Sequence, residues 1–173
     1  SDRLRLDLVL NDFVACAMTG GQITVLSDGT PWRPLIDVED MALAISWAVN
    51  RQAGNGGAWL AVNAGRSENN YQVTDLAEAV QRLVPDTRVS INKDAPPDKR
   101  SYKVDFSLFK SLAPEFLPRV DLDTSIKRLI NGLDRMKFND SDFRNSPYMR
   151  LNMLRHHMAE GRLGKDLRWS RSA

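Results

Sequence analysis

Apolar residues recur at helical spacing in the first stretch of the chain, at Leu6, Val9, Leu10, Phe13, Val14 and Ala17. This pattern predicts a helix from about Arg3 to Met18, ended by the glycines Gly20 and Gly21. A short β-type run, Ile23 to Leu26, follows, and Ser27 to Thr30 has turn chemistry. Arg33 to Val38 is a second short strand, which Pro34 confines to an edge or an end. The next helix opens on an acidic turn and carries Met41, Ile45, Ala48 and Val49 as its apolar stripe. Gly54 to Gly57 is a loop. Ala58 to Asn63 is a continuous apolar run, as in a strand buried on both faces. Thr74 is placed to cap a helix to about Leu83, and Pro85 ends it.

Farther on, Thr87 to Ile91 alternates like a half-exposed strand, and Asp94 to Arg100 is a polar, proline-rich loop. Ser101 to Val104 reads as a short strand, and Ser107 as the cap of a short helix to Leu112. Asp123 reads as the cap of a helix to Met136 with Ile126, Leu129, Ile130 and Leu133 on its apolar face. From Phe138 the texture turns polar. Pro147 stands where a first helical residue is expected, and a basic, Met-rich helix to about Glu160 leads into a tail closing on Trp169. Met149, Met153 and Met158 suit core or intersubunit packing, or else a partner surface. The division expected is residues 1–137 and a helical tail, 138–173. Helices and strands intermix, so the fold class is α/β or α+β.

At 173 residues, 42% hydrophobic and 27% charged, the chain is long enough and apolar enough to fold around a core of its own. A net charge of +2 from 24 basic and 22 acidic residues gives no reason to expect nucleic acid or a membrane as partner. Leu4 to Leu10 is interrupted by Arg5 and Asp7 and does not read as a signal peptide, and the expected compartment is the cytoplasm. The single cysteine, Cys16, fits a reducing compartment and, in its apolar setting, a buried structural thiol. The sequence opens Ser1, Asp2, Arg3 without a methionine, as a fragment or processed product would.

Local chemistry offers no catalytic centre. His156 and His157 are adjacent and lack the i, i+4 spacing of a helical ligand pair, so no metal is expected. There is no Gly-x-Ser-x-Gly, no phosphate loop of the Walker type and no Gly-x-Gly-x-x-Gly. Gly54 to Gly57 precedes a strand rather than following one. The acids Asp37, Glu39 and Asp40, and Asp121 with Asp123, stand at helix starts, where capping explains them. Anion recognition remains. Arg33 follows a turn beside a strand, and Arg100 follows a loop carrying Asp98. An arginine fork suits a phosphate, and a nearby Asp can accept from sugar hydroxyls. On local chemistry alone, each arginine reads rather as a surface salt bridge or a fold corner.

The order of motifs changes that preference. "RLRLDLVLNDFVACA", "GGQITVLSDGTPWRPLIDVEDMALAI", "WLAVNAGRSENNYQVTDLAEAV" and "PPDKRSYKVDFSLFKSLAP", in this order, resemble the C-terminal half of the extended short-chain dehydrogenase/reductases. Within that family the chain is similar to the NAD-dependent nucleotide-sugar epimerases and dehydratases. The tail "SPYMRLNMLRHHMAEGRLGKDLRW" resembles the ending of one sub-branch. The resemblance implies a Rossmann-type fold represented by a mixed α/β substrate-binding domain with late sheet strands. It implies substrate-binding roles for Asn11 and Arg33 at the diphosphate, for the strand containing Thr24 and Val25 along the nucleobase, and for Asp98 and Arg100 in a closing loop. Family members often carry histidine where Asp37 stands.

The resemblance further implies NAD or NADP as the parent enzyme's cofactor, a nucleotide-diphosphate sugar as ligand, and an N-terminal Rossmann half as partner; a homodimer is compatible with it. In the family, a Tyr-x-x-x-Lys pair in that N-terminal half handles the hydroxyl proton while a hydride moves to the cofactor. Here Tyr71, Tyr102 and Tyr148 are followed four residues later by Asp75, Phe106 and Asn152. The expectation is therefore a substrate-binding part, neither binding NAD tightly nor catalysing alone, such as a cleavage product or one piece of a split chain. The alternative is a non-catalytic binding or interaction module on the same fold.

Overall fold

A computed structural model describes residues 5–95 and 100–170. Six helices and four strands alternate along it. Helix α1 is Val9–Gly20, β1 Gln22–Val25, β2 Trp32–Pro34 and α2 Val38–Asn50. Then come β3 Asn70–Gln72, α3 Val73–Leu83, β4 Arg88–Ile91, α4 Ser107–Leu112, α5 Leu122–Arg135 and α6 Arg150–Ala159. The strands form two small sheets. β1 and β4 run parallel, with Ile23 opposite Val89 and Val25 opposite Ile91, and β2 and β3 run antiparallel, with Arg33 opposite Tyr71. The chain is thus mixed α/β, as expected.

The main core lies where α1, α3 and α5 pack on the β1–β4 pair. Strand alternation sends Ile23 and Val25 inward. Phe13, Val14, Leu76, Val80, Ile126 and Leu133 meet them from the helices. Gly21 adopts a left-handed φ of 60° and donates to Ala17 O at the end of α1, which is why glycine stands there. Phe143 is fully buried in the same core, and Phe138 and Tyr148 meet edge to face at 5.2 Å. Arg144 forms a two-pronged bond to Asp12 at 2.9 and 2.7 Å, so the segment after α5 is fixed to α1 by both apolar and ionic contact. A second, smaller cluster joins Trp47 of α2 to Phe109 of α4, their rings edge to face at 5.4 Å.

Several expectations are corrected. The helix expected from Arg3 begins at Val9. Thr74 does not cap α3. That helix begins one residue earlier, with Gln72 before it and the Asp75 carboxylate accepting the Gln72 N–H at 2.8 Å. Asp121, not Asp123, caps α5 by accepting from Thr124 N at 2.7 Å, and those bonds lower its pKa. Asp105 takes the cap bond from Ser107 N, so Ser107 is the first residue of α4 rather than its cap. Pro147 lies three residues ahead of α6. The stripe of Met41, Ile45, Ala48 and Val49 faces outward, and Val49 is 78% exposed. Asp40, Ala44 and Trp47 are the inward residues of α2.

The apolar run at residues 58–63 forms no ladder with any described strand, and Trp59 is 83% exposed. A strand is held by partners on its edges. The described sheets pair β1 with β4 and β2 with β3 and offer none here. Residues 101–104 are likewise no ladder strand, although side chains hold them in place.

Candidate functional site

The turn expected at Ser27 to Thr30 is built from its own polar side chains. Asp28 accepts from Thr30 N at 3.1 Å and from Thr30 Oγ1 at 2.8 Å. Gly29, at φ +85°, brings its carbonyl to Thr74, whose N–H and Oγ1 both donate to it at 3.0 Å. A Cβ at Gly29 would overlap the Thr74 hydroxyl, so the close approach itself requires glycine. Thr74, expected as a cap, instead anchors this turn to α3. β2 therefore starts from a fixed corner.

Alternation along β2 puts Arg33 on the face of Tyr71 and puts Trp32 and Pro34 on the other. The Arg33 guanidinium donates from Nη1 to Trp32 O at 2.8 Å and to Arg100 O at 3.0 Å. The 100–105 segment is clamped beside the sheet at two further points. Trp32 N donates to Ser101 Oγ at 3.0 Å. Asn70 accepts from Val104 N at 2.9 Å and donates to Val104 O at 3.1 Å. Lys103 lies over the Trp32 ring, its Nζ 3.6 Å from the centroid. Arg33, Arg100 and Lys103 thus belong to one corner. A cleft of about 540 Å³ opens beside it, lined by Trp32, Glu68, Asn70, Lys103 and Asp105.

The candidate residues divide into two groups. Arg33 and Arg100 are brought together, and Asp98 lies outside the described residues. Val25 is linked to the same region through its backbone, since Asn92 N donates to Val25 O at 3.2 Å at the start of the loop. The Val25 side chain is sealed in the core and its carbonyl is taken by Asn92 N, whereas the Thr24 side chain points away from the core, in register with Ser90. Asn11 spends its amide on Arg5 O, at 3.0 Å. Lys103 and Trp32 escaped sequence reasoning. The available signal was the basic residue three positions after Arg100, alternating with Tyr102 and Val104.

Other candidate chemistry resolves into structure. No cluster of three metal-ligating side chains occurs among the described residues. His156 lies 2.9 Å from Arg162 Nη2, and His157 meets the Trp169 ring edge to face. Cys16 is buried, and that burial, with Asp12 nearby, pushes its thiol up to about 11. Asp37 caps α2, accepting from Glu39 N at 3.0 Å and also from Ser125 Oγ at 2.8 Å.

The fold is that of a Rossmann-type epimerase/dehydratase, in part. The structure matches that of TunA, described as an NAD dependent NDP-hexosamine 5,6-dehydratase involved in tunicamycin biosynthesis. The TM-score is 0.62 at 21% identity, over 80% of this chain and 43% of TunA, so the chain spans less than half of that protein. The family model described as NAD dependent epimerase/dehydratase matches residues 4–65, which include α1, β1, β2 and α2. Over those residues the chain is similar to the NAD dependent epimerase/dehydratase family, and its fold is similar to that of TunA.

The residues described here do not fit the family's cofactor. Gly54 to Gly57 leads into the irregular 58–63 segment rather than into a helix whose N-terminus could face a pyrophosphate. Tyr71 donates to Asn69 Oδ1 at 3.2 Å, and burial raises its pKa, opposite to what a proton-transferring tyrosine needs. No chemical step through NAD is therefore assigned to this chain.

Proposed function

We propose that this chain is the nucleotide-sugar-binding part of an NAD-dependent epimerase/dehydratase, and that Arg33 and Arg100 receive the ligand's diphosphate. The observation that carries this reading is the bond from the Arg33 guanidinium to the Arg100 carbonyl, which holds the two arginines at one corner. An arginine fork pairs with phosphate oxygens through parallel N–H bonds and keeps its charge at any working pH. Asp98, in the same loop, accepts from the ribose. The edge of β1 away from β4, at Thr24 beside Val25, lies along the base, and Asn11 faces the diphosphate.

The role is binding at a distance from the reacting carbon. Energy gained at the diphosphate holds the sugar in one orientation, and catalysis gains from that orientation when a second half of the enzyme carries the cofactor. The outward stripe of α2, with Met41 and Ile45 lining an apolar groove beside Val62, supports a further Rossmann half docking there. It leaves the 58–63 segment available to pair with a neighbouring strand.

Calorimetric titration with UDP, dTDP and GDP tests the proposal. Arg33→Ala removes charge-assisted bonds and is expected to weaken nucleoside diphosphate binding about 10- to 100-fold. Arg33→Lys keeps the charge, loses the fork, and is expected to fall between. Thermal unfolding separates this effect from loss of the fold. Equal binding by wild type and Arg33→Ala, with both folded, refutes the phosphate role.

A further inference from the structure

The near-neutral total conceals a strong local segregation of charge. Residues 150–170 hold five cations, Arg150, Arg155, Arg162, Lys165 and Arg168, against Glu160 and Asp166. Of the sequence's 24 basic and 22 acidic residues, that leaves 19 and 20 elsewhere, so this end of the chain carries the positive excess. All five cations are exposed.

Helix α6 contributes no buried residue to either core. Its half-buried positions are Asn152, Met153 and His157. On the solvent side, Leu151, Leu154 and Met158 are all exposed. At about 100° per residue these three fall within one narrow stripe. Arg150 comes to one side of the stripe and Arg155 to the other. The hairpin after the helix, closed by the Leu163–Trp169 bridge, adds exposed Leu167 and Trp169 together with Lys165 and Arg168.

We propose that this face of α6 and its hairpin docks on an anionic lipid surface. Apolar side chains flanked by guanidiniums are what an in-plane interfacial helix presents: the stripe enters the acyl boundary and the cations meet phosphate headgroups. Trp169 is exposed on the hairpin, and tryptophan favours the headgroup level. A nucleic acid would use the cations but leave the leucines and methionine without a role. A second copy of the chain would have to bring acids to five cations, and the other exposed apolar face, on α2, presents only Glu39.

Co-sedimentation with extruded vesicles decides the matter, using phosphatidylcholine alone and phosphatidylcholine mixed with phosphatidylglycerol. The expected result is binding to the mixed vesicles, weak binding to the neutral ones, and loss with rising salt. Leu154→Asp combined with Met158→Asp, at exposed positions, should keep the circular dichroism of the wild type and reduce partitioning roughly tenfold or more. Arg150→Gln combined with Arg155→Gln should shift the salt dependence. The Trp169 emission should move to the blue on binding, with Trp169→Phe as control. Three results overturn the proposal: absence of binding to the anionic vesicles; equal partitioning of wild type and Leu154→Asp/Met158→Asp; or a sedimentation velocity dimer that the same double variant dissociates. Duplex DNA binding that displaces the vesicles also overturns it.

Discussion

Asp40 is the most consequential buried polar residue of the fold, and Asp40→Ala is the perturbation that tests this. It is 3% exposed on α2, and its carboxylate accepts from Arg119 N at 2.9 Å and Val120 N at 3.0 Å. Those two amides belong to the loop that leads into α5. Hydrogen bonds to a charged acceptor contribute about 1.5–3 kcal/mol each, and an orphaned buried N–H costs a similar amount. Water admitted to the truncated site offsets part of the loss, so the expected destabilisation is about 3 kcal/mol. For a chain of 173 residues, that lowers Tm by roughly 6–12 °C. Asp40→Asn keeps one acceptor but turns an amide N–H toward a backbone donor, for about 1–2 kcal/mol. Glu39→Ala is the control: its side chain is 66% exposed and paired only with Arg128, so about 0.5 kcal/mol or less is expected. Calorimetry and urea unfolding followed by Trp fluorescence give the values. If Asp40→Ala lies within about 0.5 kcal/mol of wild type, α2 is not held to the α5 loop by this carboxylate and the reasoning fails.

Two further outcomes are expected. The Asp12–Arg144 pair fixes the segment after α5 onto α1, and a double-mutant cycle with Asp12→Asn and Arg144→Gln should give a coupling of about 1 kcal/mol, discounted because Arg144 is half exposed. Burial holds the Cys16 pKa at about 11 in the folded state against an ordinary 9.0, so the folded protein binds the proton more tightly. The stability linked to Cys16 is therefore fully present below pH about 9 and is lost as pH rises toward about 11. Native protein at pH 8 should be inert to a thiol-specific chromophore that reacts at once after unfolding, and a fast native reaction would contradict the burial.

Much of the fold was legible because the main core obeys period. The apolar positions of α1, α3 and α5 repeat at helical spacing, and β1 and β4 show their inner residues by alternation. Helix starts were misplaced by one or two residues wherever two acids or a hydroxyl and an amide competed. Asp121 and Asp123 are equally good caps in one dimension, and only the Thr124 N–H chooses between them. The α2 stripe failed for a different reason. Periodicity finds an apolar face but not which neighbour covers it. Here the covered face is the one with Trp47 and the buried Asp40, a carboxylate whose two backbone donors lie 79 and 80 residues away. β3 was invisible because its one strand-favouring residue, Tyr71, stands between Asn70 and Gln72; their pairing is dictated by Trp32 to Pro34 opposite.

The site shows the same division between local and long-range information. The turn at Ser27 to Thr30 is local chemistry, and sequence reads it directly. The role of Arg33 is not local. Side-chain alternation in β2 gives it a face, but its place beside Arg100 depends on a bond across 67 residues of chain. That bond exists because Asn70 and Ser101 hold the 100–105 segment against a two-stranded sheet too short to hold it by ladder bonds alone. A corner fixed by side-chain clamps on both strands is rigid where it meets the sheet. Arg33 is therefore a fold corner whose guanidinium is oriented in part by two backbone acceptors, Trp32 O beside it and Arg100 O far along the chain.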